Sequence, residues 1–121
     1  MQEFFFIRVD GRYIRVKFSE IIYIEGYKNY IKINTTGKAY LVHITMKRVE
    51  QVLPSYLFCR THKSFIVSLE HIISFDASVI TLENKTIPIG DQYKGQIEKR
   101  ILVLQRDEEN IEKEELMSVY I

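Results

Sequence analysis

The side chains best suited to chemistry lie in one segment, Phe58-Cys59-Arg60-Thr61-His62-Lys63-Ser64-Phe65-Ile66-Val67. Arg and Lys neutralise phosphates and reach guanine O6 and N7, while His and Ser donate hydrogen bonds to phosphate oxygens. The cluster of Arg60, His62, Lys63 and Ser64 therefore predicts contact with a polyanion. The same composition is also typical of a solvated strand edge protected by charge, and both interpretations fit these residues.

A second polar segment, Tyr27-Lys28-Asn29-Tyr30, combines a cation, an amide and two aromatic rings. An Asn amide can pair with adenine through two hydrogen bonds, which predicts a base contact by Asn29. Alternatively, the segment is a simple turn in which Asn29 adopts a left-handed backbone.

The signatures of enzymes and metal sites are missing from the sequence. It has no Gly-rich phosphate loop, no GxSxG and no HExxH, and His43, His62 and His71 are widely spaced. Ser64 lies near His62 in sequence, but this says nothing about catalytic geometry in space. Because Cys59 is the only cysteine, no intrachain disulfide can form. We expect no catalytic residue, no cofactor and no metal.

Charge is distributed unevenly along the chain. Residues 106–121 carry two basic and six acidic side chains, whereas residues 1–105 carry 15 Lys and Arg against 10 Asp and Glu. The excess of +5 is compatible with a polyanionic partner without identifying one. The longest apolar runs are too short to span a bilayer, and a single cysteine fits a reducing compartment, so we expect a soluble, cytoplasmic protein.

The first half of the chain has the period-two alternation of half-buried strands. It is clearest over Arg8–Phe18, where Asp10-Gly11 predicts a tight hairpin turn. The run Glu20–Glu25 is almost entirely apolar, as in a strand covered on both faces. Tyr30–Asn34 and Lys38–His43 then predict a second antiparallel hairpin.

The second half begins with helical spacing over Thr45–Leu53, with Thr45 as the N-cap and Pro54 as the stop. Further strands are predicted at Phe65–Ser68, Ile72–Phe75, Val79–Glu83 and Thr86–Ile89, followed by a C-terminal helix from Gln92 towards Leu104. The prediction is one mainly β domain over residues 1–104 with two minor helices. Residues 105–121 would form an acidic extension, helical or partly disordered.

The order and spacing of four features resemble the LytTR family of bacterial DNA-binding domains over roughly residues 4–104. These features are Ile21-Ile22-Tyr23-Ile24-Glu25-Gly26 followed by Asn29-Tyr30-Ile31, the capped helix ending at Pro54, the segment from Phe58 to Val67, and Ile87-Pro88-Ile89. The resemblance implies an elongated antiparallel β-sandwich of short sheets. Its loops would enter successive major grooves of DNA and touch the minor groove between them.

The resemblance also implies which residues contact DNA. Carried over by position, the first loop contains Lys28, Asn29 and Tyr30, the second contains Arg60, His62, Lys63 and Ser64, and the third contains Gln92 and Lys94. We assign Asn29 to a base edge, Lys63 to a base or the minor groove, and Arg60 with His62 mainly to phosphate positioning.

The third loop departs from the family pattern. Many members place Ser and Arg after the Ile-Pro-Ile motif, whereas this chain reads Gly90-Asp91-Gln92-Tyr93-Lys94. Gln92 can still read adenine and Lys94 can still reach a phosphate, but Asp91 would repel the DNA backbone unless it caps the final helix.

The leading hypothesis is sequence-specific binding of double-stranded DNA by the output domain of a two-component transcriptional regulator. We expect a receiver domain before it in the full-length protein, and a homodimer on paired or repeated sites. One alternative is a β-rich protein-interaction or dimerisation module. Another is a binder of single-stranded nucleic acid that stacks bases on Tyr27, Tyr30 and Tyr40.

Cys59 has two interpretations. Its neighbours Arg60 and His62 would lower the pKa of its thiol and make it reactive, as positive charges do near a thiolate. Alternatively, it is a small apolar residue that fills the core.

Overall fold

The computed structural model describes residues 2–105. The chain begins with an antiparallel hairpin of β1 (Phe4–Val9) and β2 (Arg12–Lys17). Its two turn residues, Asp10 and Gly11, have φ of 51° and 77°. Left-handed backbone at both positions matches the twist of the flanking strands, which is why Asp-Gly is favoured there. The predicted turn is confirmed.

A five-stranded antiparallel sheet forms the centre of the domain, in the order β5-β4-β3-β7-β6. Its strands are β3 (Ile21–Tyr27), β4 (Tyr30–Thr35), β5 (Ala39–Val42), β6 (Phe58–His62) and β7 (Phe65–Ser68). β3 joins the β4–β5 half of the sheet to the β6–β7 half. This position explains its almost continuous apolar sequence.

One α-helix connects the two halves of this sheet. Helix α1 spans Met46–Val52, and the Thr45 side chain accepts a hydrogen bond from the Arg48 N–H at 3.1 Å. The cap satisfies a backbone donor that the first turn leaves unpaired. The predicted central helix and its cap are confirmed. No helix in residues 2–105 is long and apolar enough to cross a membrane.

A third sheet, in the order β10-β9-β8, completes the fold. It consists of β8 (Ser74–Phe75), β9 (Val79–Thr81) and β10 (Thr86–Pro88). Short 3-10 turns occupy Phe18–Glu20, Leu69–His71 and Asp91–Tyr93. The mainly β class is confirmed, with ten strands in the described part of the chain.

The central sheet separates two apolar clusters, because successive side chains of a strand point to opposite faces. Ile24 and Ile66 belong to the cluster that contains residues of the β1–β2 hairpin and α1. Cys59 and Val67 belong to the other cluster, which contains residues of β9 and β10. Fully burying an aliphatic side chain contributes about 1.5–3 kcal/mol, so both clusters hold the sheet rigidly.

The C-terminal helix predicted from Gln92 towards Leu104 does not form, and this part of the prediction is wrong. The Asp91–Tyr93 turn is followed by further turns through Arg100. Gly95 has a φ of 83°, a left-handed conformation that an α-helix cannot contain. The segment still docks on the domain, since Ile97 is buried in the second cluster. The predicted acidic extension, residues 105–121, lies outside the described residues except for Gln105.

We predict that Thr61→Val stabilises the domain. The Thr61 side chain is fully buried, and its hydroxyl has no hydrogen-bond partner in the described part of the chain. An unpaired buried hydroxyl keeps its desolvation cost, so replacing it with a methyl group should raise the free energy of unfolding by about 1 kcal/mol. Urea denaturation checks this. A decrease in stability would show that the hydroxyl has a partner.

Candidate nucleic-acid interface

One end of the central sheet brings together the two polar segments that the sequence singled out. β3 and β7 are antiparallel, so β3 ends where β7 begins. One residue past their last pair, Glu25 with Phe65, the Gly26 N–H donates to the Ser64 carbonyl at 2.8 Å. The Lys28-Asn29 turn and the Lys63-Ser64 turn therefore lie side by side at this end of the sheet.

The third predicted segment reaches the same end. The Gly90 N–H donates to the Thr61 carbonyl at 2.8 Å, which fixes the segment against β6. A Cβ at Gly90 would lie 3.4 Å from His62 Cδ2 and 3.2 Å from Tyr93 Cδ2. Because such contacts are tight, glycine allows the close approach. His62 and Lys63 line one shallow pocket with residues 90–93.

The turn between β3 and β4 carries an unusual backbone. Lys28 has a φ of 57°, so the left-handed residue is Lys28 and not Asn29 as the turn interpretation expected. Lys28 Nζ lies 5.7 Å from the centroid of the Tyr27 ring. Lys28 and Asn29 are both exposed. A left-handed residue with a side chain costs of order 1 kcal/mol, which the flanking sheet must offset.

Tyr30 follows this turn and stacks on His43, which belongs to neither of the two polar sequence segments. Its ring centroid is 4.8 Å from that of His43, with 24° between the ring planes. Val42 pairs with Ile31, so the next residue, His43, comes beside Tyr30. The contact depends on the register between β4 and β5, which the sequence-based prediction of this hairpin did not include.

Arg60 supports the turn between β6 and β7 from behind. Its guanidinium donates to the carbonyls of His62 and Lys63, and Nη1 lies 3.0 Å from Glu50 Oε1 on α1. The side chain is only 17% exposed, and the Tyr93 ring centroid is 5.9 Å from Cζ. These contacts occupy the guanidinium that the family resemblance assigned to phosphate positioning.

The other side chains of this turn are differently placed. His62 Nδ1 accepts the Ser64 N–H at 3.0 Å, so the neutral ring carries its proton on Nε2 and can donate from there. Ser64 is half-buried. Lys63 is exposed, and its ammonium has no partner among residues 2–105. Lys63 is therefore free to meet an anion.

In the third segment, Lys94 Nζ forms an ion pair with Asp91 Oδ1 at 3.3 Å. Asp91 does not act as a cap, since Gly90 occupies the N-cap position of the short turn. Because Asp91 does not cap a helix, its carboxylate is expected to repel a phosphate at this segment. Gln92 is exposed.

The sequence model of the LytTr DNA-binding domain family matches residues 11–102. The chain belongs to the LytTR family. A solved LytTr DNA-binding domain from Bacillus cereus superposes with a TM-score of 0.70 at 22% identity, covering 83% of this chain and 97% of that chain. The fold of the LytTR domain is therefore the one seen here.

Two curated relatives are named sensory transduction proteins. The sensory transduction protein LytT of Bacillus cereus is 23% identical over 101 residues, which are 78% of this chain and 41% of that protein. The sensory transduction protein LytR of Staphylococcus epidermidis is 36% identical over 66 residues, covering 54% of this chain and 26% of that protein. The LytTR chain thus spans less than half the length of either relative.

Cys59 lies in the interior of this LytTR domain. Burial is the main influence on its thiol and raises its pKa, and the Arg100 guanidinium, with Nη1 3.4 Å from Sγ, partly opposes it. The expectation that Arg60 and His62 lower this pKa is wrong, because Arg100 is the cation in contact. A buried thiol with a raised pKa favours the interpretation of Cys59 as a core residue.

We predict that Arg60→Lys weakens both the LytTR fold and its β6–β7 turn. An ammonium cannot replace the planar guanidinium that contacts two carbonyls and Glu50 together. The free energy of unfolding should fall by about 2 kcal/mol. Amide hydrogen exchange at Ser64 should accelerate beyond the global change. Unaltered exchange there would mean that Arg60 does not support the turn.

Proposed function

We propose that the chain binds double-stranded DNA in a sequence-specific manner, as the output domain of a bacterial transcriptional regulator in a two-component system. The observation that carries this proposal is the gathering of three polar segments at one end of a rigid sheet. Two backbone hydrogen bonds link these segments, Gly26 to Ser64 and Gly90 to Thr61. A preorganised set of donors loses little conformational entropy on binding.

The spacing of the turns fits a duplex. In the sheet order, the β3–β4 turn and the β6–β7 turn are centred two strand positions apart. Neighbouring strands lie about 4.8 Å apart, which puts the turn centres about 10 Å from each other. The major groove of B-DNA is about 12 Å wide. Both turns can therefore address one groove and its edges, whereas the family resemblance implied loops in successive major grooves.

Each side chain has a proposed role in this arrangement. Asn29 reads a base edge, Lys63 contacts a base or the minor groove, and His62 donates from Nε2 to a phosphate. Lys28, Tyr30 and Ser64 complete the two turns, and Gln92 and Lys94 extend them from the third segment. Arg60 positions the second turn through the carbonyls that it contacts.

The regulatory context is proposed from the relatives. LytT and LytR are named as sensory transduction proteins, and both extend well beyond the matched region. We infer that a receiver domain precedes this domain in the full-length protein and that a homodimer occupies paired or repeated sites. Two linked copies on two half-sites gain affinity through effective concentration.

The arrangement of tyrosines gives little support to single-strand binding. Tyr40 packs against the first apolar cluster and pairs with Ile33, which puts it on the covered face of the sheet. Tyr30 neighbours the buried Ile31 and so lies on the opposite face. The tyrosines do not form one stacking platform.

Selection of bound duplexes from a random DNA pool tests the proposal directly. We expect a short motif to be enriched, repeated at a fixed spacing if two copies bind together. Competition with single strands is the control. An unenriched pool, or single strands that compete better than the selected duplex, would contradict the proposal.

We predict that Lys63→Ala weakens binding to the selected duplex about tenfold, because its ammonium is exposed and unpaired at the proposed interface. Lys38→Ala is the matched control. Lys38 is an exposed lysine in the turn at the opposite end of the sheet.

Titration of both variants with salt completes this test. For the wild type, log affinity should fall with log salt by roughly 0.9 for each phosphate contacted. The Lys38 variant should follow the wild-type line. Equal loss of affinity in the two variants would show that the contact is not localised at the predicted end.

A further inference from the structure

We propose that His43 is an additional DNA-contacting residue, which donates a hydrogen bond to a phosphate of the strand flanking the groove. This inference rests on the proposed function and extends its contact surface by one strand. His43 follows β5, at the same end of the sheet as the two polar turns. It would be the outermost contact on the β5 side.

The environment of His43 is that of a positioned but unused donor. Its ring stacks on Tyr30 at 4.8 Å and 24°, which limits the orientations that the imidazole can adopt. Both residues are exposed, Tyr30 to 48%. Neither ring nitrogen of His43 has a hydrogen-bond partner in the described part of the chain. By comparison, one ring nitrogen of His62 and one of His71 contact a backbone group.

Distance along the sheet decides which part of DNA His43 would meet. In the strand order, β5 is first and the β6–β7 turn is centred between the fourth and fifth strands, which is three and a half strand positions away. At about 4.8 Å per strand this is about 17 Å, which exceeds the major-groove width of about 12 Å. When the two turns occupy the groove, His43 therefore lies over the phosphate backbone at its edge.

The surrounding charge suits a phosphate. A groove on the protein surface, distinct from the DNA grooves, is lined by Arg8, His43 and Arg48. Both arginines are exposed. Their positive charge attracts the DNA backbone to this corner, while the hydrogen bond from His43 would fix its position.

The test measures the affinities of variants for the selected duplex and for a scrambled duplex. His43→Ala removes the donor and should weaken both about fivefold and leave their ratio unchanged, because a phosphate contact carries no sequence information. His43→Arg should restore affinity and steepen the salt dependence by about 0.9, since a permanent cation then meets the phosphate. His71→Ala is the matched control at the other end of the sheet and should bind DNA as the wild type does.

Tyr30→Leu separates positioning from contact. It removes the stacked ring and should weaken binding as His43→Ala does, and the double variant should lose little more than either single one. Additive losses would contradict the idea that the two rings act as a unit. Urea denaturation measured in parallel should show that every variant remains folded under the binding conditions.

The remaining outcomes separate the inference from the proposed function. If His43→Ala binds as the wild type while Lys63→Ala is weakened, His43 does not contact DNA, although the function stands. A changed preference between duplexes in His43→Ala would show base reading and overturn the phosphate contact. Failure of the wild type to bind any duplex would overturn the proposed function itself.

Discussion

The pairing of β3 with β7 is the constraint on which the proposed interface depends. Each half of the central sheet is a set of local hairpins, and this one antiparallel pair joins them. Its last link is the hydrogen bond from Gly26 to Ser64, immediately before both turns. A slip of one residue in this register would exchange the faces of β7, and Ile66 and Val67 would each leave the apolar cluster in which they pack. The apolar clusters on both faces therefore also fix the distance between the turns.

Support for the interface comes from side chains that do not themselves meet a ligand. Gly26 has no side chain, and a Cβ there would lie 2.5 Å from Met46 Cγ, so helix α1 can pack close to the end of β3. From the same helix, Glu50 holds Arg60, and Arg60 in turn holds the carbonyls of the second turn. The helix thus contributes to recognition by fixing loop geometry, since polar groups bind best when their supporting contacts are already formed.

Local sequence rules predicted what depends on local structure. The Asp10-Gly11 turn and the Thr45 cap were predictable because turn and cap chemistry act over two to four residues. Long-range register was not predictable, so the stack of His43 on Tyr30 was missed. The direction of Arg60 was also missed, because the sequence cannot show that Glu50 lies beside it. The predicted C-terminal helix does not form, because Gly95 has a left-handed backbone. The helical periodicity of this segment is overridden by the docking of Ile97 in the second cluster.

The third segment shows how the charge of the interface is shared. Exposed ion pairs contribute at most about 1 kcal/mol, so a phosphate can readily displace Asp91 from Lys94. In the proposed complex, the displaced carboxylate would remain within the same turn and repel the DNA backbone. The net charge gained from this segment is therefore close to zero, and its contribution would come from hydrogen bonds of Gln92. Attraction to DNA must then come mainly from the two hairpin turns and from the cations beside β5. This places the electrostatic centre of the surface on β3 and β4, the strands that the register of β3 with β7 holds in place.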